Sequence, residues 1–204
     1  MKKKDRAEKN KKILVWFILI IFVLSTIGGV VVYYGGSGSD SFTISSSGKN
    51  FRFKLETDNS GNQYYKVSSG RDEFISYYPP SQILLDVSED TKSLLRDSAA
   101  FYISFDPEQP SLNVIDYLRY DIDYNLPDGK VSMGAVTKET SLYQLPVVTC
   151  ANATAETPVI IFGISNVTSI RMDNDYCINA DFSTSAALGV RDALVYILNG
   201  VEIG

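Results

Sequence analysis

Asp116, Asp121 and Asp123 fall on one stretch of helical pattern with Arg119 and the tyrosines Tyr117, Tyr120 and Tyr124. Two carboxylates facing one groove are what acid–base cleavage of a glycosidic bond requires. The same residues fit the solvated face of an amphipathic helix, with Arg119 and Asp123 paired at i, i+4, and the spacing favours that reading. Ser46-Ser47-Gly48-Lys49 fits S-x-x-K, a motif that needs a helix to set the amine over the hydroxyl. The surrounding Ser/Gly tract provides no such helix. Asp173, Asn174 and Asp175 offer oxygens to a calcium ion, but such loops use six to eight ligands in a longer pattern. A turn is expected there.

Histidine is absent from the chain, which removes the usual general base, the usual activator of a nucleophile and the commonest zinc ligand. With only Cys150 and Cys177 present, a four-thiolate zinc site cannot form within one chain. No C-x-x-C, phosphate-binding loop or G-x-S-x-G occurs. The sequence therefore assigns no catalytic, metal or cofactor residue. Asn152-Ala-Thr154 and Asn166-Val-Thr168 are sequons, candidate glycan acceptors if this part of the chain is exported. The aromatic residues, Tyr64-Tyr65 and Tyr77-Tyr78 among them, fit either a sugar- or protein-binding face or ordinary core packing, and packing is the expected default.

Charge and hydropathy divide the chain sharply. Residues 1–12 hold seven Lys or Arg against Asp5 and Glu8, a net of +5, while the rest sums to −10. Between them, residues 13–34 (ILVWFILIIFVLSTIGGVVVYY) run for 22 positions without a charge. A helix of that length spans about 33 Å at about 1.5 Å per residue, enough to cross a hydrocarbon core of about 30 Å. Trp16 near one end and Tyr33-Tyr34 at the other suit the headgroup regions, and the basic flank holds the N-terminus in the cytoplasm. A cleaved secretory signal would have a shorter apolar core and a small-x-small exit, whereas this run ends in Tyr-Tyr-Gly-Gly. A pilin-type leader would be cut just before the run, and Arg6-Ala7-Glu8 lies several residues too early. A retained anchor is expected, contacting the bilayer through residues 13–34. Ser25 and Gly29 form a small-xxx-small pair that would allow two such helices a close approach.

Four regions follow: a cytoplasmic basic tail (1–12), a transmembrane helix (13–34), a flexible Gly/Ser linker (35–49) and an extracytoplasmic domain (50–204). In that domain, alternation in residues 51–55 and 63–67 around Asp58-Asn59-Ser60-Gly61-Asn62 predicts a β-hairpin. A short strand over 74–78 is stopped by Pro79-Pro80. Ser88 caps a predicted helix through Ala99, with Glu89 and Asp90 in its first turn. Strand 101–105, helix 111–126 and strand 131–136 form a predicted crossover with a parallel strand pair. Strand 158–162, a hairpin from 169–172 and 176–180, and a last helix ended by Asn199-Gly200 complete an α/β (or α+β) domain with a mixed sheet. Cys150 and Cys177 both lie in the exported part, where oxidising conditions favour a disulfide. Two buried thiols or a bridge between chains are the alternatives.

The ordered series Phe51-Arg-Phe53, Tyr102-Ile-Ser-Phe-Asp-Pro107, Val148-Thr-Cys150-Ala-Asn-Ala-Thr154, Pro158-Val-Ile160, Cys177-Ile178 and Asp192-Ala-Leu-Val-Tyr196-Ile-Leu-Asn-Gly200-Val201 resembles membrane-anchored surface proteins of small-genome DPANN archaea. The resemblance covers nearly everything after the linker. It implies an archaeal surface protein with a Cys pair, and no activity or site residue. The expected function is a structural or binding module at the cell surface, with a protein or glycan partner and no nucleic acid. The alternatives are a membrane-tethered envelope enzyme and an accessory subunit of a membrane complex.

Overall fold

The computed structural model describes residues 41–203. The apolar run 13–34 and its basic flank lie outside the described residues. Among those described, no helix is long and apolar enough to cross a membrane.

The domain is α/β, with two sheets. Strands β1 (Ser41–Ser46), β2 (Lys49–Thr57), β3 (Gln63–Ser69) and β4 (Asp72–Ser76) lie in sequence order in the first, where β2 pairs antiparallel with β3 and β3 with β4. The expected β2–β3 hairpin forms with Thr57 opposite Gln63. Its turn is built on Asp58, whose Oδ1 accepts from the backbone N–H of Ser60 and Asn62, both at 2.8 Å. Strand β1 lies inside the tract expected to be linker, so order begins earlier than Asn50. Two interactions explain it. Phe42 stacks on Phe53 with ring centroids 4.7 Å apart. The buried Ser46 hydroxyl donates to the Gly200 carbonyl (3.0 Å) and accepts from Glu202 N–H (2.9 Å). Ser47 and Gly48, at φ 49° and 73°, make the tight turn into β2 that two left-handed residues favour. The S-x-x-K match is therefore a hairpin turn.

The second sheet has the order β6-β5-β7-β9-β8, from β5 (Ala100–Phe105), β6 (Val131–Val136), β7 (Val159–Ile164), β8 (Ser169–Asn174) and β9 (Cys177–Phe182). Neighbours from β6 to β9 are parallel, and β8 closes the edge antiparallel to β9. The expected single mixed sheet is thus one of two. Among the described residues three α-helices accompany them: α1 (Glu89–Asp97), α2 (Leu112–Tyr124) and α3 (Ala187–Asn199). Ser88 caps α1 by accepting from Thr91 N–H, and Gly200 ends α3 in the left-handed conformation, both as expected.

Alternation along β5 separates the faces of the mixed sheet. Phe101, Ile103 and Phe105 are buried in the main core with α2 and α3, the usual destination of apolar residues at period two. On the other face, Ala135, Val148, Val159 and Cys177 form a smaller cluster with Tyr102 and Ile161 packed against it. The segment from Val148 to Ala153, with the single turn Cys150–Asn152, packs on this face. A Cys150–Cys177 disulfide, Cα atoms 5.2 Å apart, pins that cover to the first residue of β9.

Helix α3 is the hub. Every residue from Val190 to Asn199 is buried. Tyr196 touches both Phe53 and Phe74 of the first sheet, each at 6.1 Å between centroids. An all-round buried helix is a core element.

Candidate functional site

Helix α2 buries Ile115, Leu118 and Ile122, as its spacing requires. Its charges form the expected solvated face only in part, since Asp123 is exposed while Arg119 turns inward. Arg119 is buried, donates to Asp116 at 2.9 Å and lies between the rings of Phe105 (5.1 Å) and Tyr120 (5.3 Å). Strand β6 makes room with Gly134, where a Cβ would stand 2.1 Å from the Arg119 guanidinium. The other Asp116 oxygen accepts from the Tyr143 hydroxyl at 2.7 Å. Burial and that bond push the Tyr143 pKa up to about 12. Asp121 accepts from Arg191 of α3 at 2.5 Å, and Asp123 from the Ser132 hydroxyl at 2.6 Å. The expected Arg119–Asp123 pair gives way to Arg119–Asp116, because the guanidinium turns inward to the rings. The three carboxylates are committed to three separate partners and do not converge on a groove.

A polar network lies behind them. Arg191 and Asp192 are fully buried and paired at 2.8 Å. The Arg191 guanidinium also donates to the Ile75 carbonyl at 2.6 Å. Asp192 Oδ2 accepts from the backbone N–H of Tyr77 (2.7 Å) and Tyr78 (2.8 Å), so α3 fixes the strand end that follows β4. Burial raises the Asp192 pKa to about 6 against the opposing pull of Arg191 and those two N–H groups. The Tyr196 hydroxyl donates to the Tyr78 carbonyl and accepts from the Ser76 hydroxyl at 2.8 Å. Burial raises its pKa further still. The signal for this network was a charged pair inside an otherwise apolar run, since charges inside a core persist only when paired.

The surface in front of the network is aromatic. A cleft of about 650 Å³ opens between the β2–β3 turn, the end of β4, α2 and α3, lined by Tyr64, Tyr77, Tyr78, Tyr117, Asn62 and Gln63. Tyr77 and Tyr117 share a hydroxyl–hydroxyl bond of 2.7 Å, and the Arg191 guanidinium lies 5.3 Å from the Tyr77 ring centroid. Burial and the Tyr117 bond raise the Tyr77 pKa. Asp58 lines the cleft too, but its oxygens accept from the turn backbone and from the Asn62 amide (2.9 Å). Beyond the cleft, Tyr117, Tyr120 and Tyr124 are 48%, 70% and 83% exposed and lie on one side of α2 at i, i+3 and i+7. Packing was the expected default for the aromatics, and these three do not follow it. Concave surfaces of this size, rich in aromatic faces with a few oriented polar groups, are the usual form of a small-ligand site.

The other candidates are placed as follows. At the carboxyl end of β7, the part of such sheets that commonly binds ligands, Gln109 bonds to the strand backbone. Its amide donates to the Phe162 carbonyl (3.1 Å) and accepts from Ile164 N–H (3.0 Å). Asn174 accepts from the N–H groups of Tyr176 and Cys177, forming the turn expected at Asp173–Asp175. Among the described residues no group of three acidic, Cys or His side chains is arranged to hold a metal ion. Asn152 is exposed on its single turn, with its side-chain oxygen accepting from Thr149 N–H at 2.9 Å. Asn166 is exposed on the connection from β7 to β8.

Comparison with family models, curated proteins and solved structures finds no match to the chain.

Proposed function

We propose that the chain is a single-pass membrane-anchored surface module that binds an external partner through the tyrosine cleft and the adjoining face of α2. In this reading, residues 1–12 stay in the cytoplasm, residues 13–34 span the bilayer, and the domain faces outward with Asn152 and Asn166 as glycan acceptors. The oxidised Cys150–Cys177 pair agrees with an exterior location, as does the resemblance to anchored archaeal surface proteins. The observation that carries the binding role is the exposure of Tyr117, Tyr120 and Tyr124 beside a cleft lined by tyrosines. Large aromatic rings left in water beside a cleft mark an interaction surface. An envelope enzyme working through Asp116 and Asp123 has less support, because neither carboxylate faces the other across a groove.

Two measurements test this reading. Protease added to intact cells trims the domain and leaves a tag ahead of Met1 protected. An accessible tag with a protected domain would reverse the orientation. Vesicles carrying the full chain adhere to cell envelopes, and a Tyr117→Ala/Tyr120→Ala variant loses that adhesion while remaining folded. Equal adhesion by the variant would remove the cleft from the binding role.

A further inference from the structure

Resting on that binding reading, we propose that the occupant of the cleft is a neutral, hydroxyl-rich glycan chain that continues from the cleft onto the exposed face of α2. The shape of the surface sets the first constraint. From Tyr117 to Tyr124 the tyrosine row advances along α2 by about 10 Å, beyond a cleft that already holds about 650 Å³. A ligand touching both is longer than one small molecule, so the surface suits a polymer.

Electrostatics sets the second. Residues 41–204 carry a net charge of −9, and no Lys or Arg lines the cleft. Its one ionisable acid, Asp58, is held by the turn it builds. An anionic polymer would meet like charge with no cation to receive it. A neutral one meets neither attraction nor repulsion and needs no ion pair.

The hydrogen-bonding inventory sets the third. Gln63 brings an amide with no side-chain partner within the domain, and the carbonyl oxygen of Asn62 is left over once its NH₂ binds Asp58. An amide both donates and accepts, as a sugar hydroxyl does. The tyrosine rings supply flat apolar faces for the C–H faces of sugar rings, and their hydroxyls stay at the edge. Aliphatic anchors of the kind that fill the centre of a protein interface are scarce here: Ile75 and Leu188 are the aliphatic residues lining the cleft and both are half-buried, while the exposed Leu84 and Leu142 are not part of its lining.

The test uses vesicles bearing the full chain and cell envelopes divided into three samples: untreated, oxidised with periodate, and digested with protease. Periodate cleaves vicinal diols and so destroys sugar rings while leaving most of the polypeptide intact. The proposal expects adhesion to the untreated and protease-treated samples and its loss after periodate. It also expects adhesion to be insensitive to added salt, because no ion pair is screened. In parallel, the solubilised full chain is run in native gels containing a neutral mannan, an α-glucan, a β-glucan or anionic hyaluronan. Retardation by a neutral polymer, weakened about tenfold by Tyr120→Ala and less by Tyr120→Phe, supports it. Tyrosine-dependent adhesion that survives periodate and disappears after protease overturns the glycan and leaves the binding module standing. Adhesion that never depends on Tyr117 or Tyr120 overturns both. Retardation by hyaluronan alone, or by none of the neutral polymers, overturns the glycan class.

Discussion

Helices α2 and α3 are each thirteen residues long, and they dispose of their polar and aromatic side chains in opposite ways. Helix α3 takes Arg191, Asp192 and Tyr196 into the core, each fully buried. Helix α2 leaves Tyr117, Tyr120 and Tyr124 in solvent. A domain short of apolar residues would have sent those rings inward and kept the ion pair outside. The arrangement found here places the charges where they lock the end of β4 in position, through Asp192 and the N–H groups of Tyr77 and Tyr78. That locked segment is one wall of the tyrosine cleft. Rigid support behind and free aromatic faces in front is the division of labour a binding surface requires. The contrast makes the two helices respond differently to the same kinds of change.

The largest effect is expected at Arg191. Arg191→Ala leaves Asp121 and Asp192 without their shared cation, and breaking a buried ion pair by removing one partner costs about 3–5 kcal/mol. Denaturant unfolding of the full chain measures it. A loss under about 1 kcal/mol would mean that the network is hydrated rather than buried.

Next comes the disulfide, which acts on the irregular cover of the mixed sheet. Replacing Cys150 and Cys177 by Ser opens a loop with a sequence separation of 27. In the chain-entropy model this costs about 3.5 kcal/mol. Hydrogen exchange should rise first across residues 148–158, with α3 protected until global unfolding. Uniform loosening of both faces would show that the bridge does more than hold the cover down.

The pH response singles out Asp192. Its carboxyl is raised from 3.8 to about 6 in the folded state, so the folded chain holds a proton there that the unfolded chain has released. Stability from this residue is therefore greatest below pH 3.8, falls as pH rises, and has lost its full increment above about 6. Glu89 and Asp106, lowered by Lys92 and by the Glu108 N–H respectively, act in the opposite sense. The diagnostic quantity is the difference between the chain and its Asp192→Asn variant from pH 4 to 6. It should slope in the direction of Asp192, and a flat difference would place its pKa outside that range.

Much of this architecture was legible in the sequence because local chemistry and tertiary packing agree there. Asp58 and Asn62 specify a turn, Ser88 a helix start and Gly200 a helix end, and each does so in the fold. Strand β1 was missed, although Phe42 and Ile44 alternate inside the Ser/Gly tract. Its stability comes from Phe53 and from the backbone of Gly200 and Glu202, partners that local pattern does not reveal. The site was legible only in part. The helical pattern placed Tyr117, Tyr120 and Tyr124 on α2, but exposure depends on what the rest of the chain covers. The reading of α2 as a solvated charged face holds for Asp123 and not for Arg119 and Asp121, for a related reason. Arg119 has ring partners in Phe105 and Tyr120, and Asp121 finds Arg191, 70 residues along the chain.

The smallest stability change is expected on the exposed side of α2, where substitution of Tyr124 shifts folding by about 0.5 kcal/mol or less. The tyrosines on that side give the most direct test of the contrast between the helices. Tyrosine nitration of the full chain, read by mass spectrometry with and without cell envelopes, compares them in one experiment. The account predicts that Tyr120 and Tyr124 are nitrated in the free chain and protected when envelopes are bound, while Tyr196 stays unmodified throughout. Equal nitration of Tyr120 and Tyr124 in both samples, or ready nitration of Tyr196 in the folded chain, would contradict it.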